Sequence, residues 1–165
     1  MHRLFFIGMP GCGKTFWAKQ LEDTLGWKRF DTDELIVTKT GKSIASIFES
    51  KGELFFRKIE STVLQDLIEV NESFVCSTGG GLPLNSNNFS LMKHNGTTIY
   101  LQASISLLLN NLKKEKEQRP LLKGDNVEEK LQQLFSKRKA DYEQADYIFN
   151  VEQLTLSQIL TIIQQ

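Results

Sequence analysis

Short apolar runs alternate with longer amphipathic stretches along this chain. Arg3–Ile7 is a compact apolar run that stops at Gly8, the pattern of a strand buried on both faces. Residues 15–25 follow with Trp17, Ala18, Leu21 and Leu25 at helical spacing, and Gly26 stands where a helix would end. A second short strand is predicted over residues 27–30, ending at Asp31, then helices over 33–40 and 43–50. A long helix is predicted over 53–70, with Phe56, Ile59, Val63, Leu67 and Val70 as its inward stripe. Residues 73–77 read as a third strand, followed by Gly79-Gly80-Gly81. A helix at 89–93 and a turn at Asn95-Gly96 lead to a fourth strand at 97–101. The helix at 104–112 runs into a charged stretch, 113–124. An amphipathic helix at 127–145, a fifth strand at Tyr147–Asn150 and a last helix at 155–163 complete the pattern. Five short strands separated by helices imply an α/β fold, a parallel sheet with helices on both faces. The polar stretch 113–124, between two helices, is the candidate mobile element.

Composition fits one domain with a real core: 165 residues, 40% hydrophobic and 24% charged. Twenty Lys+Arg balance twenty Asp+Glu, so a general nucleic-acid binder is not expected. No stretch approaches the roughly 18 apolar residues of a membrane span, and the apolar run at residues 4–7 is too short for a signal-peptide core. Cys12 and Cys76 are far apart and form no CxxC pattern, which argues for a reducing cytoplasm over a disulfide scaffold. With His2 and His94 as the only histidines, a structural zinc site lacks ligands. Any catalysis here is expected to run on carboxylates, cations and backbone amides.

Gly8-Met9-Pro10-Gly11-Cys12-Gly13-Lys14-Thr15 fits GxxxxGK[ST] between a predicted strand and a predicted helix, the context of a P-loop. Glycines let backbone N–H groups turn toward phosphate oxygens, the helix N-terminus favours negative charge, and Lys14 adds a cation. The Thr15 hydroxyl can ligate Mg²⁺. Cys12 reads as a small residue at a variable motif position, although a thiol at a helix N-terminus can be acidified.

Asp31-Thr32-Asp33 follows the second strand, and ligands of α/β sheets bind beyond the carboxyl ends of strands. Two carboxylates there can divide two tasks, holding Mg²⁺ through water and accepting a proton from a hydroxyl nucleophile. Helix capping by Asp33 is the plainer alternative, and it leaves Asp31 unexplained. The glycine triplet either turns the chain sharply or admits something close to the backbone. Arg138 falls on the inward stripe of its helix, three residues after Phe135 and four before Tyr142. A charge there must snorkel, find an internal partner, or face a bound carboxylate or phosphate. Arg57, beside inward-facing Phe56, reads alone as a surface ion pair. Arg119, in Arg119-Pro120-Leu121-Leu122, is either part of a solvated charge run or an arginine that closes on phosphate.

Taken together and in order, these features resemble the shikimate kinase family over essentially the whole chain. They are the P-loop at 8–15, the DTD at 31–33, IFESKGELFFRKIE at 47–60, STGGG at 77–81, RPLL at 119–122, and Arg138 followed by Tyr142. The resemblance implies a three-layer α/β/α P-loop kinase of one domain, with strand order 2-3-1-4-5 and a small lid over about 113–124. It implies transfer of the ATP γ-phosphate to the 3-hydroxyl of shikimate, with ATP and Mg²⁺ as cofactors, in a monomer that engages neither nucleic acid nor membrane. By the family pattern Gly11, Cys12, Gly13, Lys14, Thr15 and Phe16 hold the nucleotide, and Thr15 and Asp31 serve the metal. Asp33 is the catalytic base. Arg57 and Arg138 clamp the shikimate carboxylate, and Gly79, Gly80 and Gly81 line its pocket. Phe48 and Phe56 match apolar positions near its ring. Arg119 reaches the phosphates. Many members place an Arg-Thr pair shortly before the lid, with the Arg stacked on adenine; here Asn110-Asn111-Leu112-Lys113-Lys114 stands instead.

The charge balance then takes on local meaning. Residues 113–139 hold nine Lys/Arg and five Asp/Glu, a net of +4, so the remainder carries −4. That basic segment contains Arg119 and Arg138 and suits two anionic ligands.

Overall fold

The structure is a computed structural model that describes residues 1–114 and 126–164. Strand β1 (Arg3–Ile7) lies at the centre of its sheet because its residues tolerate burial on both faces; Phe5, Phe6 and Ile7 are wholly buried. It pairs in parallel with β3 (Phe74–Ser77) on one side and β4 (Thr97–Gln102) on the other. Outside these lie β2 (Lys28–Asp31) and β5 (Tyr147–Asn150), also parallel, giving the order β2-β3-β1-β4-β5. The strand order and the flanking helices are those the resemblance implied.

Every carboxyl end of this sheet therefore opens on one edge. Ile7 leads into the P-loop, Asp31 into α2 (Thr32–Thr40), and Ser77 into the glycine triplet. Those are the positions where α/β sheets bind ligands. In register, Asp31 stands opposite Ser77, and Ser77 opposite Phe6.

The main core lies around the sheet, with α1 (Lys14–Leu25) contributing Ala18 and Leu21 and α6 (Val127–Tyr142) contributing Leu131 and Tyr142. A second, smaller core joins α2 to α3 (Ile44–Ile68) through Ile36, Ile47, Phe56 and Val63. The helices predicted at 43–50 and 53–70 are joined across Gly52, whose φ of 77° breaks the helical geometry. Gly52 tolerates this left-handed backbone because it has no Cβ.

Two helix ends differ from expectation by three residues, each for a local reason. Helix α4 (Ser86–Asn95) starts at Ser86, not 89, because Asn85 caps it, accepting from the N–H groups of Asn87 and Asn88. Helix α6 stops at Tyr142 rather than 145, which frees Asp146 to accept from the Thr98 amide at 2.9 Å and hydroxyl at 2.7 Å. At the expected turn, Gly96 is extended, with φ of −177°, and a Cβ there would collide with the Arg3 carbonyl. The short helix α5 (Ile105–Lys114) lies beside the P-loop. Among the described residues, no helix is long and apolar enough to cross a membrane.

Candidate active site

The P-loop backbone depends on glycine at three points: Gly8, Gly11 and Gly13 have φ of 143°, 81° and 91°. Gly13 is the N-cap of α1, so no side chain satisfies the first amides of that helix, and its first turn carries no acid. Unsatisfied N–H groups at a helix start favour an anion. The Lys14 ammonium is buried against the loop, donating to the carbonyls of Gly8 at 2.9 Å and Met9 at 3.0 Å. It is thereby held within the cavity that the loop lines. That cavity, of about 450 Å³, is bordered by Gly11 to Trp17 and reaches Asp31, Asp33, Thr78, Leu107, Asn111 and Val151.

The two aspartates divide their directions. Asp31 is the N-cap of α2, its Oδ1 accepting from the amides of Asp33 at 2.9 Å and Glu34 at 3.4 Å. Capping thus falls on Asp31, and the plainer reading of Asp33 as the cap is corrected: Asp33 sits inside the first turn. The other Asp31 oxygen accepts from the Thr15 hydroxyl at 3.4 Å. This brings together the two residues expected to serve a metal. Both offer hard oxygen atoms, which fits Mg²⁺, an ion that keeps several waters and leans on substrate phosphates. Among the described residues no group of three His, Cys, Asp or Glu side chains could hold a metal, so a closed protein cage is not what they build.

The glycine triplet is a floor on which the other candidate residues rest. An added Cβ at Gly79 would lie 2.9 Å from Asp33 Oδ1 and 3.0 Å from Glu60 Oε1. One at Gly80 would lie 2.9 Å from an Arg138 nitrogen, and one at Gly81 would collide with the Arg57 guanidinium. None of the three has a positive φ, so close approach explains them, not a special turn. The Gly79 amide donates to Thr32 Oγ1 at 2.8 Å, tying this floor to α2. The Tyr142 hydroxyl donates to the Gly80 carbonyl at 2.6 Å, tying it to α6. Of the three glycine N–H groups, that of Gly79 is therefore already engaged.

Arg138 is 4% exposed and forms no ion pair among the described residues; its positive charge lies close enough to the Tyr142 hydroxyl to act on it. Arg57 is held more tightly. Its guanidinium donates to Glu60 at 2.6 Å and to Glu53 at 2.9 Å, and it lies 5.3 Å from the Phe56 ring centre. Phe56 and Phe48 pack with ring centres 4.7 Å apart and planes tilted by 42°, in the smaller core.

Glu60 is the site residue that the sequence reading missed. It is 1% exposed and faces both Arg57 and the Gly79 floor. The signal was present: Glu60 is four residues after Phe56 and three before Val63, on the inward stripe, as Arg138 is on its own. Burial pushes its carboxyl up to about 7, with Asp33 adding to the rise and Arg57 and Arg138 opposing it. Below that pH the carboxyl gains a proton and its ion pair with Arg57 is lost; above it, the pair is restored. Substrate KM is therefore expected to rise as pH falls from 8 to 6, while Glu60→Gln flattens that profile. Steady-state kinetics across this range check it; a profile unchanged by Glu60→Gln would contradict it.

Phe16 is exposed beside the loop, in edge contact with Trp17 at 5.4 Å. Cys12 and Cys76 are both buried free thiols. Arg119, with most of the segment 113–124, lies outside the described residues.

A shikimate kinase family model matches residues 10–165. The chain is 41% identical to a shikimate kinase of Sulfurihydrogenibium sp. over 160 residues, covering 97% of this chain and 94% of that one. It is 40% identical to the shikimate kinase of Azobacteroides pseudotrichonymphae, over 97% and 96% of the two chains. Among solved structures, a shikimate kinase from Bacteroides thetaiotaomicron superposes with a TM-score of 0.92, at 30% identity over 99% of each chain. One from Acinetobacter baumannii in complex with shikimate gives 0.89, at 33% identity over 100% and 92%. A deoxyadenosine kinase of M. mycoides, 15% identical with a TM-score of 0.59, shares the fold alone. Similarity that runs almost end to end, in sequence and in backbone alike, makes this chain a member of the shikimate kinase family.

Proposed function

We propose that this protein transfers the γ-phosphate of ATP to the 3-hydroxyl of shikimate, giving shikimate 3-phosphate for aromatic amino-acid biosynthesis. One observation carries the reading: the glycine floor gathers Asp33, Arg57 and Arg138 around one point beside the P-loop cavity. A carboxylated polyol needs that combination, a cation for its carboxylate and a base for its hydroxyl.

In this reading Arg57 and Arg138 grip the shikimate carboxylate, and the Gly80 and Gly81 amides face its ring. Asp33 accepts the hydroxyl proton as the oxygen attacks phosphorus in line. Lys14 and the amides from Gly11 to Phe16, Cys12 and Gly13 included, hold the phosphates. Thr15, with Asp31 behind it, would hold Mg²⁺, which neutralises phosphate charge during transfer. Arg119 adds a cation from the segment 113–124, which we assign as a lid of the same single domain. We assign the enzyme to the cytoplasm as a monomer; two unpaired thiols suit a reducing compartment.

The test is ADP release by the purified protein, coupled to NADH oxidation, with shikimate and with gluconate as acceptors. Shikimate-dependent turnover and none with gluconate is expected. Preference for gluconate would favour another small-metabolite P-loop kinase.

A further inference from the structure

We propose that Tyr142 is a positioning residue whose hydroxyl sets the peptide between Gly80 and Gly81, so that the Gly81 N–H faces the carboxylate end of the acceptor ring; this rests on the assignment of the glycine floor to shikimate.

The floor is a β-turn. The Leu82 amide donates to the Gly79 carbonyl at 3.1 Å, so Gly80 and Gly81 are the two central residues. Gly81 has φ of −95° and ψ of −14°, close to the second central position of a type I turn. A type II turn reverses the central peptide and needs a positive φ at that same position. Glycine adopts that φ without steric cost. With glycine at both central positions, the backbone alone does not choose between the two turns.

A side chain makes the choice. The groups on either side are tied, the Gly79 amide to Thr32 Oγ1 at 2.8 Å and the Gly81 carbonyl to the Leu84 amide at 3.2 Å. The central peptide has one tie among the described residues, the Gly80 carbonyl accepting from the Tyr142 hydroxyl at 2.6 Å. Tyr142 is wholly buried, with its ring centre 5.1 Å from that of Tyr100, so packing holds the hydroxyl in place.

A trans peptide sends its C=O and its N–H in opposite directions. Holding the Gly80 carbonyl on α6 therefore turns the Gly81 N–H away from that helix, and it meets no partner among the described residues. The two arginines flank this peptide. A Cβ on Gly80 would lie 2.9 Å from an Arg138 nitrogen, and one on Gly81 would run into the Arg57 guanidinium. A carboxylate between the guanidiniums gains the N–H as a further donor. Reversal of the turn would present the Gly80 carbonyl instead, an acceptor facing an anion.

The experiment compares wild type with Tyr142→Phe, which removes the tie and frees the turn to reverse. It measures KM and kcat for shikimate and competitive inhibition by two analogues. One is 3-deoxyshikimate, which keeps the carboxylate; the other is the triol with hydrogen in its place. KM for shikimate and Ki for 3-deoxyshikimate are expected to rise together by roughly tenfold to 100-fold, the worth of a hydrogen bond to a charged group. The triol Ki and kcat are expected to stay within about threefold, since only a carboxylate contact is lost. Equal weakening of the triol and of the two carboxylates overturns the proposal, because a floor that had merely loosened would lose both. An unchanged KM for shikimate overturns it too.

Wild type alone supplies a second reading should the variant fail to fold. With isotope-labelled glycine, NMR is expected to show the Gly81 amide proton moving downfield on addition of 3-deoxyshikimate and staying in place with the triol. The same response to both, or none to either, overturns the proposal. Absence of shikimate turnover would instead strike the assigned reaction; the NMR comparison still reads the turn in that case, with the same two outcomes.

Discussion

Asp33→Asn is expected to lower kcat by roughly 10²- to 10⁴-fold, the usual worth of a positioned general base. The substitution keeps size and removes the charge that accepts the proton. Asp33 lies in the first turn of α2, where Asp31 already performs the capping, so the helix start remains intact. Its Oδ1 is 2.9 Å from where a Cβ on Gly79 would lie, which sets the carboxylate directly over the floor of the acceptor pocket. ATP affinity, governed by the P-loop, should stay within about threefold of wild type, since no lost contact is one of its own. Stopped-flow or coupled-assay kcat and a calorimetric nucleotide titration measure the two. A kcat within tenfold of wild type would remove Asp33 as the base.

Arg138→Ala is expected to weaken shikimate binding by about 30-fold to several thousand-fold, the range for truncating one partner of a buried charged pair. Arg138 is buried on the inward face of α6 without a carboxylate partner among the described residues. Burying a guanidinium in that way is unfavourable unless an anion meets it. The missing side chain at Gly80 leaves it room, since a Cβ there would lie 2.9 Å from an Arg138 nitrogen. ATP binding should change little. Arg138→Lys should recover only part of the loss, because an ammonium cannot form the two parallel hydrogen bonds a guanidinium gives a carboxylate. Melting temperature and ATP affinity, measured alongside, separate this from general destabilisation. Equal weakening of shikimate and ATP would refute the assigned role.

Periodicity was enough for the order of elements along the chain, most plainly at β1, an apolar run ended by Gly8, whereas the spatial order of the strands came from the family resemblance. It was not enough for ends that depend on side-chain capping. Asn85 starting α4 and Asp31 starting α2 are visible only once backbone amides are placed. Chemistry-bearing residues were legible where the sequence broke a rule: three consecutive glycines, a charge on an apolar stripe, a Gly-rich loop before a helix. Glu60 broke the same rule as Arg138 and was passed over, because it sits in a segment rich in exposed charge. Asn111 broke none. An asparagine on an amphipathic helix is ordinary, and its hydrogen bond to the Gly11 carbonyl is visible only in the fold. For Gly79, Gly80 and Gly81 the sequence left a sharp turn or a close approach open; what approaches in the fold is the protein's own Asp33, Glu60, Arg138 and Arg57.

The most direct measurement is identification of the product formed from shikimate and ATP by the purified protein. Phosphorus and carbon NMR of the reaction mixture locate the new phosphate ester. A single monophosphate on the 3-hydroxyl, formed with one ADP per ester, is the predicted result. ATP hydrolysis without an ester, or an ester on another hydroxyl, would contradict the placement of Asp33 as the base for that oxygen.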